Sequence, residues 1–279
     1  MIPAEFDYVA PDTLDEALRA LADGGEDAKP LAGGHSLVPL MKLRLAVPTL
    51  LVDLRKLDEL TGIEQNGGWT IGAMTRHAEL QVRDELGVAA TTAGNIADQQ
   101  VRNRGTIGGS IVHGDPASDL PTVLLAAEGS LDVIGPNGER SIAAADVFED
   151  YLTTSVAQGE IVTKVHLPDL SDWSFGYEKF VRRAEDWAMV GVVALVKKAP
   201  DGSCEDVRVG LTHMGSTPLR ASATEAALKG GALDEQTIAS AAEQAAEGTD
   251  PPADLNASED YKRHLARVLT KRALLTAAG

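Results

Sequence analysis

Two glycine-rich segments, far apart along the 279-residue chain, constrain its fold more than any other feature of the sequence. Residues 29–44 read KPLAGGHSLVPLMKLR, and residues 98–121 read DQQVRNRGTIGGSIVHGDPASDLP. Because glycine lets the backbone approach a ligand closely, successive N–H groups in such turns form a concave site for an anion. A short strand before Gly33-Gly34 and an apolar helix start after it would aim these donors at a phosphate. We therefore expect the two segments to form one pocket for a cofactor that bears a diphosphate.

The same residues allow other interpretations. Neither segment contains G-x-G-x-x-G or G-x-x-x-x-G-K-S/T, which argues against a Rossmann or P-loop nucleotide site. Each segment alone is also compatible with a tight turn that binds no ligand. His113, Asp115 and Asp119 belong to the residue types that ligate metals, but no second histidine lies near them in the sequence. A hydrolase nucleophile at Ser36 or Ser110 is disfavoured because the G-x-S-x-G turn is absent.

The charge and the cysteine count exclude several classes of protein. With 25 Lys and Arg against 42 Asp and Glu, the net charge of −17 argues against a nucleic-acid-binding protein. Cys204 is the only cysteine, so the chain forms no internal disulfide and holds no cluster through four thiolates. The first residues lack the pattern of a signal peptide, and no apolar run approaches the roughly 18 residues of a membrane span. The sequence predicts a cytoplasmic protein without a membrane span.

The first part of the chain, about residues 1–57, has the pattern of a small β-α-β unit. A helix is predicted over 13–21, because Thr13 and Glu16 form a capping box before an apolar stripe. Strands are predicted over 28–32 and 50–54, and an apolar helix start lies between them.

The second part, about residues 58–172, has more strand signals. Asn66-Gly67-Gly68 and the turn 135–138 predict hairpins, and a strand is predicted over 161–167. A helix is predicted over 75–86. Together, residues 1–172 are predicted to form the first domain.

The third part, residues 173–279, is predicted to be a separate C-terminal domain. It begins with an antiparallel meander, whose strands are predicted over 175–183, 190–197 and 207–214. It ends with three helices, whose predicted N-caps are Ser222, Asp234 and Ser258. The fold class predicted for the whole chain is α+β, with α/β units first and an antiparallel sheet plus helix bundle last.

The glycine segments closely resemble the two FAD diphosphate motifs in the FAD subunits of molybdenum hydroxylases. The resemblance is strongest in LAGGHSLVPLM (31–41) and TIGGSIVHGDPASDLP (106–121), and it continues through VDLRKL (52–57), IGAMTRHAEL (71–80) and YEKFVRRAEDWAMVGV (177–192). The sequence looks most similar to the medium subunit of aerobic carbon monoxide dehydrogenase, and less similar to the FAD domain of xanthine dehydrogenase. This resemblance implies that residues 1–172 are an FAD-binding domain with a fold of the vanillyl-alcohol oxidase (PCMH) type and two α/β subdomains. Residues 173–279 would be the family's C-terminal flavoprotein domain.

The resemblance also implies which residues hold the FAD, which would be bound non-covalently. Asp119 would bind the ribityl or ribose side, Val162 would lie against a ring, and Lys179 would lie near the flavin pyrimidine edge. Without the resemblance, the sequence pattern would place Lys179 on the outward side of an exposed strand. It would make Trp187 an aromatic residue of the core or of the cavity rim. The residues assigned to the FAD site are Leu31, Ala32, Gly33, Gly34, His35, Ser36, Leu37, Thr106, Ile107, Gly108, Gly109, Ser110, Asp115, Asp119, Val162, Lys179 and Trp187.

The implied role is that of an oxidoreductase subunit without a catalytic residue or metal of its own. In the family, a small subunit carries [2Fe-2S] clusters and a large subunit carries the molybdenum cofactor that oxidises the substrate. The chain would pass electrons from the clusters to an external acceptor, within a dimer of heterotrimers. A stand-alone flavin oxidoreductase and a redox-inactive FAD-binding scaffold are the alternatives. The substrate of the complex and the terminal acceptor are not predicted.

Overall fold

A small parallel sheet begins the fold. The computed structural model describes residues 2–279. The elements of its first part are β1 Asp7–Val9, α1 Leu14–Gly24, β2 Ala28–Leu31, α2 Leu37–Lys42 and β3 Leu50–Asp53. The strands pair in the order β1-β3-β2, and both pairings are parallel. The predicted β-α-β unit is confirmed, whereas β1 was not predicted because its three exposed residues carry no apolar pattern.

Helix α1 shows how local sequence determines an element. The Thr13 hydroxyl accepts a hydrogen bond from the Glu16 N–H at 3.2 Å, as the capping pattern predicts. The Glu16 carboxylate accepts from the N–H of Asp12, one residue earlier than in a capping box. Ala17 and Leu21 face the core, and the helix ends at Gly25, whose φ of 67° suits glycine.

A second, antiparallel sheet follows, with a separate two-stranded hairpin beside it. The strands of this region are β4 Ile63–Gln65, β5 Gly68–Gly72, β6 Ser130–Gly135, β7 Gly138–Ala143, β8 Phe148–Asp150, β9 Thr153–Thr154 and β10 Ile161–Pro168. The sheet order is β4-β5-β10-β6-β7, and β8 pairs only with β9. Both predicted hairpins are confirmed. Strand β10 lies in the centre, and four of its apolar residues, Ile161, Val162, Val165 and Leu167, are buried.

Five short helices lie between β5 and β6. They are α3 His77–Leu80, α4 Val88–Gly94, α5 Gln99–Arg102, α6 Ile107–His113 and α7 Asp119–Ala127. The single helix predicted over 75–86 is wrong, because only α3 and a 3-10 turn, Asp84–Leu86, are helical there. The Thr75 hydroxyl instead bonds the backbone of Gly62, and Gly87 with φ of 56° ends the 3-10 turn.

The last part of the chain is a four-stranded antiparallel sheet covered by helices. Its elements are β11 Trp173–Phe180, β12 Val190–Lys198, β13 Cys204–Thr212, β14 Leu219–Arg220, α8 Ser222–Leu228, α9 Glu235–Ala242 and α10 Glu259–Ala278. The predicted meander and the caps at Asp234 and Ser258 are confirmed. The cap at Ser222 is wrong, because Ala221 precedes the helix and Glu225 bonds Arg220 and the Val209 N–H.

The apolar core extends across the sheets. One cluster joins β10, α7 and the inner face of β12, and another lies between the C-terminal sheet and α10. Helix α10 packs so tightly on β11 that a Cβ at Gly176 would overlap the carbonyl oxygen of Ala273. The division of the chain at about residue 172 stays a prediction.

Candidate functional site

The two glycine segments meet in the structure, as the sequence predicts. A Cβ atom at Gly33 would overlap the carbonyl oxygen of Arg104 and lie 2.8 Å from the Cα of Gly105. A Cβ at Gly109 would lie 3.4 Å from the Cβ of Ala32. Residues about 70 positions apart in sequence are therefore in backbone contact, and only glycine at position 33 permits this approach.

The first segment supplies a run of free backbone donors. Within residues 2–279, the N–H groups of residues 33–37 donate no hydrogen bond to the protein, whereas the N–H of Val38 bonds the Gly34 carbonyl at 3.0 Å. Gly34 has φ of 76°, a left-handed conformation that turns the chain between β2 and α2. Five successive free N–H groups beside a cavity form the kind of concave donor site that binds a phosphate.

The second segment supplies fewer free backbone donors than predicted. Gly108 and Gly109 lie in the first turn of α6, and their N–H groups bond the Ala73 carbonyl at 2.9 Å and the Thr106 hydroxyl at 3.2 Å. The N–H groups of Ile107 and Ser110 also bond carbonyl oxygens of the protein. The expectation that the donors of this segment are free is wrong for residues 107–110. These glycines instead allow close packing, since a Cβ at Gly108 would lie 2.6 Å from the Cβ of Ala73.

A cavity of about 710 Å³ opens between the segments and the C-terminal sheet. Its lining includes most of the residues that the resemblance assigns to the FAD site, and the two exceptions are Ile107 and Asp115. Ile107 is buried in the apolar core, and the Asp115 carboxylate accepts from the Ala117 N–H at 2.8 Å. The assigned residues that line the cavity are Leu31, Ala32, Gly33, Gly34, His35, Ser36, Leu37, Thr106, Gly108, Gly109, Ser110, Asp119, Val162, Lys179 and Trp187.

A buried ion pair forms part of the cavity wall. Lys179 Nζ lies 2.8 Å from Asp119 Oδ2 and 3.2 Å from the carbonyl oxygen of Asn95. The Tyr177 hydroxyl donates to Asp119 Oδ1 at 2.9 Å. The interpretation of Lys179 as an outward-facing residue is wrong, because its side chain is only 8% exposed. Burial raises the pKa of Asp119, an effect that Lys179 and Tyr177 oppose.

The metal alternative concerned His113, Asp115 and Asp119. Lys179 and Tyr177 each bond one Asp119 oxygen, and the Asp115 carboxylate accepts from the Ala117 N–H in its own turn. Among residues 2–279, no three His, Cys, Asp or Glu side chains converge as metal ligands would.

His77 lines the cavity and was missed by sequence reasoning. Its ring is 4% exposed and lies against Gly105, and its Nδ1 atom has no hydrogen-bond partner in the described part of the chain. Burial, together with the nearby His35 and Arg102, lowers the pKa of His77 to about 4. The residue was placed inside a predicted helix, where a lone histidine carries no signal of a site.

The rim of the cavity is built from irregular backbone. Ala97 and Leu152 both line the cavity and both have positive φ, of 43° and 53°. Trp187, at the mouth, is 54% exposed. Non-glycine residues adopt positive φ at a cost, so surrounding structure must hold these positions in place.

Comparison with known protein families decides what kind of site this is. The family described as the FAD binding domain in molybdopterin dehydrogenase matches residues 4–170, which include the whole β2–α2 donor run and α6. The family described as the CO dehydrogenase flavoprotein C-terminal domain matches residues 175–277. The chain belongs to the FAD-binding subunits of the molybdenum hydroxylases.

Relatives within this family of FAD-binding subunits align along their whole length. The chain is 38% identical to the 6-hydroxypseudooxynicotine dehydrogenase complex subunit alpha of Paenarthrobacter nicotinovorans, over 99% of this chain and 96% of the relative. It is 39% identical to the carbon monoxide dehydrogenase medium chain of Hydrogenophaga pseudoflava, over 98% and 97% of the two chains. The solved carbon monoxide dehydrogenase of that organism superposes with a TM-score of 0.95 at 41% identity, covering 99% of this chain and 98% of that chain.

These comparisons confirm the family and the fold that the resemblance implied. The chain is an FAD-dependent oxidoreductase subunit with an α+β FAD-binding fold and the C-terminal domain of the family. No helix in residues 2–279 combines the length and the hydropathy that crossing a membrane requires.

Proposed function

We propose that the chain carries FAD non-covalently in the cavity and passes electrons from the [2Fe-2S] clusters of a partner subunit to an external acceptor. A large subunit with the molybdenum cofactor would oxidise the substrate, and the complex would be a dimer of heterotrimers. When bound, FAD supplies reversible electron transfer, and the protein's part is to bind and orient it. The observation that supports this proposal most strongly is the run of free N–H groups in residues 33–37 beside the cavity.

The diphosphate fits this donor run. Backbone N–H groups carry partial positive charge and are fixed in place, so they bind phosphate oxygens without losing side-chain entropy. A cavity of about 710 Å³ also lies within the size range of ordinary cofactor sites. Residues 33–37 would hold the phosphates, and α6 would form the floor beneath them.

The ion pair in the cavity wall fits the sugar and ring side of the cofactor. Lys179 uses two of its three N–H groups on Asp119 and Asn95, which leaves one for a ligand. Each Asp119 oxygen accepts one hydrogen bond and retains a lone pair that can accept from a hydroxyl. Asp119 would bind the ribityl or ribose hydroxyls, Lys179 would lie at the flavin pyrimidine edge, and Val162 and Trp187 would contact the rings.

The cysteine content of this chain supports a role that relies on a partner subunit for the clusters. Its one cysteine, Cys204, is buried in the C-terminal sheet and does not line the cavity. Electrons must therefore enter and leave through the flavin. Relatives such as the carbon monoxide dehydrogenase medium chain are named as parts of larger enzymes, which supports a similar assembly here.

Two measurements test the proposal. The purified chain should bind FAD in a titration, show a flavin absorption spectrum, and release the flavin intact when denatured. In the complex purified with its partner subunits, anaerobic reduction should appear first in the cluster absorbance and then in the flavin absorbance.

The alternatives predict different results. Clusters that become reduced while bound flavin stays oxidised would indicate the redox-inactive scaffold. Turnover of a small substrate by this chain alone would indicate a stand-alone oxidoreductase. Failure of correctly folded protein to bind FAD would contradict all three functions.

A further inference from the structure

A fully buried lysine lies outside the cavity wall. Lys262, on α10, is 0% exposed, and its Nζ donates to Asp254 Oδ2 at 2.7 Å and to the Pro252 carbonyl at 2.8 Å. It also lies 3.3 Å from Nε2 of His213. A buried ammonium is costly unless it is fully bonded, and this cluster holds the Lys262 side chain in place.

The lysine determines the tautomer of His213. Because an ammonium has only N–H donors, Nε2 of His213 must accept, which places the ring proton on Nδ1. That Nδ1–H points at the carbonyl oxygen of Ala188, 2.8 Å away. The backbone is held as well: the N–H of His213 bonds the Pro116 carbonyl at 2.8 Å, and φ of His213 is 63°.

Ala188 belongs to the segment that carries Trp187 to the mouth of the cavity. This segment, residues 181–189, joins β11 to β12 and is here called the Trp187 segment. Its own bonds are local, such as Asp186 N–H to the Arg183 carbonyl and Met189 N–H to the Phe180 carbonyl. Within residues 2–279, His213 is the only side chain from outside that forms a hydrogen bond with it.

We propose that His213 is a positioning residue that holds the Trp187 segment at the cavity, and that the buried Lys262 keeps its Nδ1–H available for this bond. The cavity's identity as the flavin site rests on the proposed function, but the mechanical role of His213 does not. A chain of bonded groups thus connects helix α10 to the cavity mouth.

Acid should weaken this contact. Burial lowers the pKa of His213, and the positive charge of Lys262 also lowers it. The bond to the Ala188 carbonyl and the negative charges of Asp254 and Asp115 act in the opposite direction, but the pKa remains below its ordinary value. The folded state therefore favours the neutral ring. As pH falls below the ordinary histidine value of 6.5, protonation would set an imidazolium against the Lys262 ammonium at 3.3 Å. This repulsion increases the population of states in which His213 has moved away from Lys262 and no longer bonds the Ala188 carbonyl.

Trypsin measures this release directly, because Arg182 and Arg183 are exposed within the segment. The experiment uses the full chain without FAD and compares the rate of cleavage at these bonds with that at exposed Arg44 in the same sample. The ratio removes the pH dependence of trypsin itself. In the wild type, the ratio should rise as the pH is lowered from 8 to 6.

A matched pair of variants isolates the donor. Asn and Asp both tolerate positive φ and have the same shape, but only Asn can donate to the Ala188 carbonyl at pH 8. At that pH His213→Asp should raise the cleavage ratio about fivefold, the effect of losing one hydrogen bond. His213→Asn should keep the wild-type ratio and remove its pH dependence.

Each outcome decides the proposal. A flat wild-type profile, an unchanged ratio in His213→Asp, or an equal rise in His213→Asn would overturn it. If His213→Asp does not fold, the wild-type profile and His213→Asn still decide. Protection of Arg183 by added FAD is a separate arm, and its failure would count against the proposed function and not against the role of His213.

Discussion

At the scale of single residues, Gly33 is the position where a small change should have the largest effect on cofactor binding. A Cβ there would overlap the Arg104 carbonyl and separate the two glycine segments. Gly33→Ala should weaken FAD binding by roughly 10- to 100-fold, corresponding to about 1–3 kcal/mol of overpacking strain. Isothermal titration of the FAD-free protein measures this.

Gly94→Ala is the matched control for this substitution. Its Cβ would meet only the Cβ of Gln81, at 3.8 Å, and its φ is not positive. FAD affinity of this variant should equal that of the wild type. Equal affinities for Gly33→Ala and Gly94→Ala would show that the contact between the segments does not shape the site.

His77 should make the fold sensitive to acid. Its pKa of about 4 in the folded protein lies below the ordinary value of 6.5, so the unfolded chain takes up a proton first as pH falls. The contribution of His77 to the free energy of unfolding is constant above pH 6.5. Between pH 6.5 and pH 4 it should decline by about 3 kcal/mol. Urea unfolding at pH 7 and pH 4 should show a smaller loss in His77→Gln; equal losses in both proteins would contradict the assignment.

The residues of the site differ in how well sequence predicts them. Gly33 and Gly34 are recognisable because a glycine pair after a strand has a local geometric meaning. Lys179 and His77 are not, because their burial depends on groups such as Asn95 and Gly105 that are distant in sequence. The roles assigned to Asp119, Val162 and Trp187 toward FAD stay predictions.

At the scale of elements, the contact between β11 and α10 is the tightest that involves a glycine. The Cβ introduced by Gly176→Ala would overlap the Ala273 carbonyl and push the helix off the strand. We expect this substitution to lower the free energy of unfolding by about 1–3 kcal/mol. Ser174→Ala, at an exposed position of the same strand, should change it by less than about 0.5 kcal/mol in the same urea titration. If Gly176→Ala has the same free energy of unfolding as the wild type, the helix can move away from the strand without loss of stability.

Elements were predictable where the signal was local. Hairpin turns and the caps at Thr13 and Ser258 are specified by adjacent residues, and they are present. The helix predicted over 75–86 failed because its backbone forms tertiary hydrogen bonds at the start: the N–H of His77 donates to the Gly105 carbonyl, and the Thr75 carbonyl accepts from the Ile107 N–H. Helix α6 was not predicted, because its glycines suggested a turn, whereas they serve its packing on Ala73.

At the scale of the whole molecule, the Asp119–Lys179 pair ties helix α7 to strand β11, and hence the two family-matched regions to each other. Lys179→Met would leave a carboxylate that is 5% exposed without its cation. Stability should fall by about 3–5 kcal/mol, the usual effect of breaking a buried pair from one side. Urea unfolding at pH 7 measures it.

Two controls separate pairing from packing. Adding Asp119→Asn to Lys179→Met should recover part of the loss, because no buried charge is then left unpaired. Lys56→Met removes a lysine whose pair with Asp12 is largely exposed, and should cost less than about 1 kcal/mol. If the double variant loses as much free energy of unfolding as the two single variants together, the two side chains are not energetically coupled.

The free peptide donors of residues 33–37 have a consequence for how binding responds to ionic strength. Lysine-based phosphate sites weaken in salt, because ions screen the attraction. Here the donors are uncharged, the chain has a net charge of −17, and four acidic residues line the cavity against two lysines. The long-range field thus repels an anionic ligand, and added salt should screen that repulsion. Association of FAD should become faster as sodium chloride rises from low concentration, and slower association would reveal a cationic entrance.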